Sequence, residues 1–325
     1  MSEAPERFGK QCKWRQKHNP RRTLHMDLHI DRFEGCLLGL ACGDAVGATV
    51  EFMPRGRFEP VTGMTGGGKF RLNKGEWTDD TAMALCLADS LIECDGFDAL
   101  DQMQRYWRWA NEGHNSCRSH AFGIGKTIAA ALVRFQKTGE PHSGAIDSAS
   151  SGNGSLMRLA PIPMYFARRP NDAIDFAALS SSTTHASAEC LACCRYFALV
   201  LLRALAGEQD KAKLFPDEVD FEVPYSTTRI IDQRFKNLTA DEIVGSGYVV
   251  ESLEAALWSF WHTDSFEAAI LAAANLGDDA DTTAAICGQL AGAYYGSSEI
   301  PEDWTGSLYR QQDIRKIARQ LAGQA

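Results

Sequence analysis

From Asp31 onward the apolar residues recur at helical spacing almost without a break, and alternating strand patterns are nearly absent. Phe33, Leu37, Leu40 and Ala41 share one face, and Met83, Leu87, Leu91 and Ile92 share another on a helix that begins near Asp79. Further helical stretches are expected over 98–111, 122–137, 185–206, 248–261, 265–275 and 281–295, with a Gly- and Pro-rich loop from Pro54 to Gly75. Strands alternating with helices would signal a parallel sheet. Only Phe221-Glu222-Val223 and Thr228–Ile231 offer short, weak strand candidates, inside the polar segment 208–240, which reads as an insertion. The expected fold is all-α: a single globular domain of many short helices, with no repeat of about 20–50 residues.

A chain of 325 residues with 45% hydrophobic content can bury a full core. No apolar run reaches the roughly 18–20 residues that span a bilayer, and no signal-peptide core is visible, so a soluble, cytoplasmic protein with no membrane partner is expected. Cys36, Cys42, Cys86 and Cys287 lie within apolar helical patterns and read as reduced core thiols. Cys190, Cys193 and Cys194, near His185, lack zinc-site spacing and read as part of a buried helix. The net charge of −9 conceals an asymmetry: residues 1–22 carry +5 and the rest −14. An acidic body without a recognition motif argues against nucleic acid as a partner. Residues 1–28 are read as a basic N-terminal arm and 29–325 as the domain.

Two acidic clusters stand out, Thr78-Asp79-Asp80 and Asp278-Asp279-Ala280-Asp281-Thr282, each opening an apolar helical run. As helix N-termini they make sense by themselves, since hydroxyls cap free N–H groups and carboxylates oppose the dipole. Two such clusters in one chain also supply what hard divalent cations need, several anionic oxygens and a neutral one on rigid elements. An EF-hand is excluded, because the apolar helix follows at once and the required glycine and glutamate are missing. Glu51 follows the glycine-rich helix end Cys42-Gly43-Asp44-Ala45-Val46-Gly47 and is placed to act as an acid or base. Ser150 to Arg158 (SSGNGSLMR) is a glycine loop whose N–H groups can cradle phosphate, although it is not a Walker loop.

In their order these segments resemble the ADP-ribosylglycohydrolase family: G-D-A-V-G with Glu51, W-T-D-D-T-A-M, G-I-G-K-T, G-N-G-S-L-M-R-L-A-P, Thr184-His185, G-Y-V-V-E-S-L-E-A-A-L and D-A-D-T, over roughly residues 31–296. The resemblance implies an all-α fold around two Mg²⁺ or Mn²⁺ ions held by Thr78, Asp79, Asp80, Asp279, Asp281 and Thr282. It implies that ADP-ribose lies across Gly152, Asn153, Gly154 and Ser155, with Gly125, His185 and Tyr248 lining the cleft. Glu51 and Asp80 are then the candidate catalytic carboxylates, for an oxocarbenium-like bond cleavage at the ribose anomeric carbon. Glu51 has a second reading, as a structural group of the metal shell. The expected activity is removal of ADP-ribose from modified protein side chains. Arginine is favoured, although Gly123-Ile124-Gly125 stands where arginine-directed relatives carry D-I-G. Asp278 replaces a usual glycine and reads as a rim charge.

A different class of function is a binding one. The basic arm carries Trp14 and suits an acidic active-site cleft, which would make the chain an immunity protein or regulator of an ADP-ribosyltransferase toxin. A solvated tail, or a start at Met26, accounts for the same residues. Hydrolysis of a small ADP-ribose conjugate is a third reading.

Overall fold

The computed structural model describes residues 29–324, so the basic arm and Trp14 lie outside the described residues. Fourteen α-helices and no sheet are found among them, with isolated β-bridges at three places. The longer helices are α1 (Ile30–Gly47), α2 (Asp79–Glu93), α3 (Ala99–Glu112) and α4 (Lys126–Thr138). After the short α5 (Pro161–Tyr165) come α6 (Pro170–Ser182) and α7 (Ala188–Leu205). Two single turns, α8 (Lys211–Leu214) and α9 (Thr228–Ile231), precede α10 (Val249–Trp261), α11 (Phe266–Ala274) and α12 (Ala280–Tyr295). The chain ends in α13 (Glu302–Ser307) and α14 (Gln311–Gln324).

The all-α expectation holds, with local differences. Thr228–Ile231, a strand candidate in the sequence, is a helical turn. The helix expected from 122 begins at Lys126, because Gly123 takes a left-handed φ of 78° and breaks the run. Residues 208–240 fold onto the main core rather than standing apart, with Leu214, Phe215, Ile230 and Phe235 buried in it. Cys190, Cys193 and Cys194 are likewise buried thiols of α7.

The centre of the fold is an antiparallel pair of helices packed backbone to backbone. Gly35, Gly39, Gly43 and Gly47 of α1 face Gly292, Gly288, Ala284 and Ala280 of α12, each four residues from the next. A Cβ built on Gly39 would stand 2.2 Å from the Gly288 carbonyl oxygen, and one on Gly288 would stand 2.0 Å from that of Gly39. Four-residue spacing returns to the same face of a helix, so the small residues form a continuous groove on each partner. Because the helices run in opposite directions, the C-terminus of α1 meets the N-terminus of α12. Asp44, Glu51, Asp79, Asp80, Asp279 and Asp281 gather at that junction. At the other end, Glu34 of α1 is buried and pairs with Arg315 and Arg319, which fastens α14 across the pair.

Candidate metal and substrate site

The loop after α1 is pinned to the turn before α12 by reciprocal backbone bonds. Phe52 N–H donates to the Asp278 carbonyl at 2.6 Å, and Asp278 N–H donates to that of Met53 at 2.9 Å. Phe52 and Asp278 both adopt left-handed φ, 65° and 53°. Asp tolerates that region better than most residues, and glycine better still, so Asp278 can hold this turn. Asp278 itself is exposed at the rim, as expected of it, and its neighbours turn inward. The carboxylates of Glu51, Asp279 and Asp281 bring one oxygen each within 4.8 Å of the others.

The second acidic cluster is held from beneath by Asp44, a residue that sequence reasoning passed over. Asp44 is fully buried on α1 and accepts from four groups at the start of α2. Thr78 N–H and Oγ1 donate to its Oδ1 at 2.9 Å each, while Thr81 N–H and Oγ1 donate to its Oδ2 at 3.0 and 2.6 Å. Asp44 therefore caps α2 from another helix, and Thr78, although it occupies the N-cap, makes no capping bond with its own side chain. Nor does Asp279 at the N-cap of α12. The simple capping account of both clusters fails for this reason: neither Thr78 nor Asp279 caps its own helix, and the carboxylates of Asp79, Asp80 and Asp279 face the junction. The missed signal was a carboxylate one place from a glycine on an otherwise apolar helix.

These groups strain against one another electrostatically. Burial, then the charges of Asp44, Asp79, Asp279 and Glu51, push the Asp80 carboxyl well above its ordinary value. Burial, then Asp44, Glu51 and Asp279, do the same to Asp79, and burial with Glu51, Asp80, Asp279 and Asp44 to Asp281. Burial is also the leading cause that raises Asp279, Asp44 to about 6 and Glu51 to about 7. Glu51 Oε2 and Asp80 Oδ1 are buried with no hydrogen-bond partner among the described residues. Anionic oxygens in this state fit hard divalent cations, which would neutralise the repulsion and satisfy the orphaned atoms. Thr282 is buried beside Asp281, whose Oδ1 accepts from its N–H at 2.8 Å.

The glycine loop reaches the same junction. Asn153 Nδ2 donates to Asp279 Oδ2 at 2.6 Å, and its backbone N–H donates to the Gly247 carbonyl at 3.1 Å. Val249 N–H returns a bond to the Ser151 carbonyl at 2.9 Å, so Gly152 and Tyr248 lie side by side. Among the described residues neither Gly154 N–H nor Ser155 N–H donates to another backbone group, so both can serve an anion. His185 lies beneath the loop: a Cβ on Gly154 would stand 2.8 Å from its Cε1. Gly125 caps α4, whose Ile128 side chain also reaches Gly154. The Tyr248 hydroxyl donates to Glu189 at 2.7 Å, and Ser226 also donates to that carboxylate. Gly123 has the Asp79 carboxylate 2.2 Å from where a Cβ would be, so an aspartate at 123 would need Asp79 to move.

Two residue sets far apart in sequence thus face each other, a cation-type acidic centre and an anion-type loop, joined by Asn153. Known proteins resemble the chain over nearly its whole length. Residues 25–325 match the family model of ADP-ribosylglycohydrolase. The chain is 41% identical over 325 residues to an ADP-ribosylarginine hydrolase Tri1 of Pseudomonas putida, covering 100% of this chain and 86% of that one. It is 31% identical to an ADP-ribosyl-[dinitrogen reductase] glycohydrolase of Rhodospirillum rubrum, over 90% of this chain and 94% of that one. Among solved structures, an ADP-ribosylglycohydrolase-related protein complex superposes with a TM-score of 0.80 at 40% identity, covering 91% of this chain and 98% of the other.

Proposed function

The chain belongs to the ADP-ribosylglycohydrolase family, hydrolases of ADP-ribose glycosidic bonds, and we propose that its substrate is ADP-ribosyl-arginine on protein. The observation that carries the reading is the close set Glu51, Asp279 and Asp281, tied through Asn153 to a glycine loop whose Gly154 and Ser155 N–H groups make no backbone bond among the described residues. Thr78, Asp79, Asp80, Asp279, Asp281 and Thr282 would hold two Mg²⁺ or Mn²⁺ ions. Bound there, the ions would fix ribose hydroxyls and supply Lewis-acid charge that acidifies a water.

The chain's own residues do the rest. The loop 152–155 and His185 take the pyrophosphate, and Tyr248 and Gly125 bound the cleft. Cleavage of the C1″–N bond returns its electron pair to the guanidine, and the water that adds to C1″ gives up a proton. Glu51 is assigned to receive it, since its buried Oε2 has no hydrogen-bond partner among the described residues and it stands beside Asp279 and Asp281. Asp80 is the second carboxylate in reach. Arginine is favoured over serine by the identity to the ADP-ribosylarginine hydrolase. The expected result is release of ADP-ribose from an arginine-modified protein at least about tenfold faster than from a serine-modified one, with loss of both on chelation. Equal rates on the two substrates would overturn the arginine assignment, and turnover in chelator would overturn the metal one.

A second role rests on composition. The +5 segment 1–22 with Trp14 suits an acidic transferase cleft, and a cytoplasmic immunity role against such a toxin follows. Deleting residues 1–28 should leave hydrolysis within about threefold and weaken inhibition of the cognate transferase by at least about tenfold. Unchanged inhibition in a transferase assay would end that reading.

A further inference from the structure

Arg158, just beyond the glycine loop, is a buried cation with an unusual set of partners. Its Nη1 donates to the Gly154 carbonyl at 2.6 Å and its Nη2 to Thr184 Oγ1 at 2.7 Å, while the guanidinium lies 4.7 Å over the Tyr106 ring and also interacts with the Tyr106 hydroxyl. No carboxylate among the described residues pairs with it, and its Nε is buried without a partner. A guanidinium can only donate, so Thr184 Oγ1 must accept from it. Thr184 is fully buried and has one hydroxyl proton. Among the described residues, the acceptor within reach of that proton is His185 Nδ1, at 2.8 Å.

The consequence is a fixed tautomer. Were Nδ1 to carry the proton, Thr184 Oγ1 would accept twice and its own buried proton would have no acceptor among the described residues; with Nδ1 accepting, a neutral imidazole carries its proton on Nε2. Nε2 has no hydrogen-bond partner among the described residues and lies under the loop, 3.3 and 3.2 Å from where Cβ atoms of Gly152 and Gly154 would be. Burial, with the Arg158 charge behind it, lowers the imidazole to about 3, which keeps it uncharged across the physiological range.

We infer that Arg158 and Thr184 are positioning residues that lock His185 as the Nε2–H tautomer, so that it donates to a phosphate oxygen of ADP-ribose. The phosphate half rests on the hydrolase reading above; the tautomer half does not. With the other tautomer, Nε2 would present a lone pair to the anion and repel it. A neutral donor also holds the pyrophosphate without adding a pH-dependent charge that would resist product release.

The test is long-range ¹H–¹⁵N NMR on the full chain labelled with ¹⁵N-histidine, with the His185 signal assigned through His185→Gln. The wild type should show a protonated Nε2 and a bare Nδ1, unchanged from about pH 8 to about pH 5. An Nδ1–H pattern, or an imidazolium at neutral pH, would overturn the proposal without any variant. Thr184→Val should shift the tautomer and weaken binding of free ADP-ribose about tenfold, while Thr184→Ser should restore both. A shifted tautomer with unchanged ADP-ribose affinity would remove the phosphate contact. If Thr184→Val does not fold, the wild-type spectrum still decides the tautomer, and titration of His185→Gln decides the contact. A wild type that binds no ADP-ribose would sink the hydrolase reading and the phosphate contact while leaving the tautomer result intact.

Discussion

Asp281→Asn is expected to silence the enzyme and to raise the melting temperature of the metal-free protein. The two effects have one cause. Asp281 sits among Glu51, Asp80, Asp279 and Asp44, whose charges, after burial, are what raise its carboxyl. An asparagine keeps the shape and an oxygen for the Thr282 N–H, which Asp281 Oδ1 now accepts at 2.8 Å, but carries no charge. Removing one of several repelling charges relieves the folded state, and each kcal/mol gained moves the midpoint by about 2–4 °C. The same change removes an anionic ligand. Activity should fall at least about 10³-fold, beyond the 10–100-fold typical of groups one bond further from a metal. The stabilisation that Mn²⁺ or Mg²⁺ gives the wild type should shrink as well, read as the melting shift with and without cation. A metal-free variant less stable than the wild type would show that these carboxylates do not repel as argued.

The pH dependence follows with its sign. Glu51 and Asp44 hold their protons more tightly in the folded chain, to about 7 and about 6, than in the unfolded one. Their contribution to stability is therefore fully present below the unfolded carboxyl range and is lost as pH rises through about 6 to 7. Metal-free protein should melt lower at pH 8 than at pH 5, and saturating cation should flatten the difference, because the ions take over from the protons.

Much of this site was legible because ordered motifs carry it, and the parts that were not have physical reasons. Thr78, Asp79, Asp80, Asp279 and Asp281 announce themselves as acidic helix starts, and the structure turns both starts toward one junction. What sequence could not supply was the partner across the gap. Asp44 accepts from four groups at the start of α2, at separations of 34 and 37 residues, and nothing in local propensity encodes them. Arg158 ends a loop motif in the sequence, and its burial depends on Tyr106 of α3 and Thr184 in the turn after α6. Helix α14 is a different case: Ile314, Ile317, Ala318 and Leu321 repeat at helical spacing and are buried, so the pattern was present and went unread. Helix α6 offered less, because its run of serines at 180–182 favours neither helix nor strand.

The second large effect concerns how the junction is made, and it is expected to grade along the α1–α12 groove. Gly39→Val and Gly288→Val each place a branched side chain where the partner backbone stands about 2 Å away. Overpacking in a core typically costs about 1–3 kcal/mol, with relief from shifting side chains. Here the obstacle is backbone carbonyl on a helix, which cannot rotate aside, so the helices must separate along their length. Several kcal/mol of loss is a large share of the roughly 5–15 kcal/mol that holds a domain together, and the valine variants should unfold at growth temperature. Alanine separates the two ends of the groove. At Gly47, a Cβ would meet Ala280 O at 2.3 Å and Asp281 Cα at 2.6 Å, so Gly47→Ala should displace Asp281 from Glu51 and weaken cation affinity at least about tenfold. At Gly292, a Cβ would meet Gly35 O at 1.8 Å, far from the acidic junction, so Gly292→Ala should lower the melting temperature with less effect on cation affinity. Gly306→Ala is the control, in a helix with nothing within 4 Å, and should be neutral or stabilising by about 0.5–1 kcal/mol. Calorimetric cation titration and melting curves on the three alanine variants decide the point. Equal loss of cation affinity in Gly47→Ala and Gly292→Ala would mean that the groove sets stability alone and does not set the spacing of Glu51, Asp279 and Asp281.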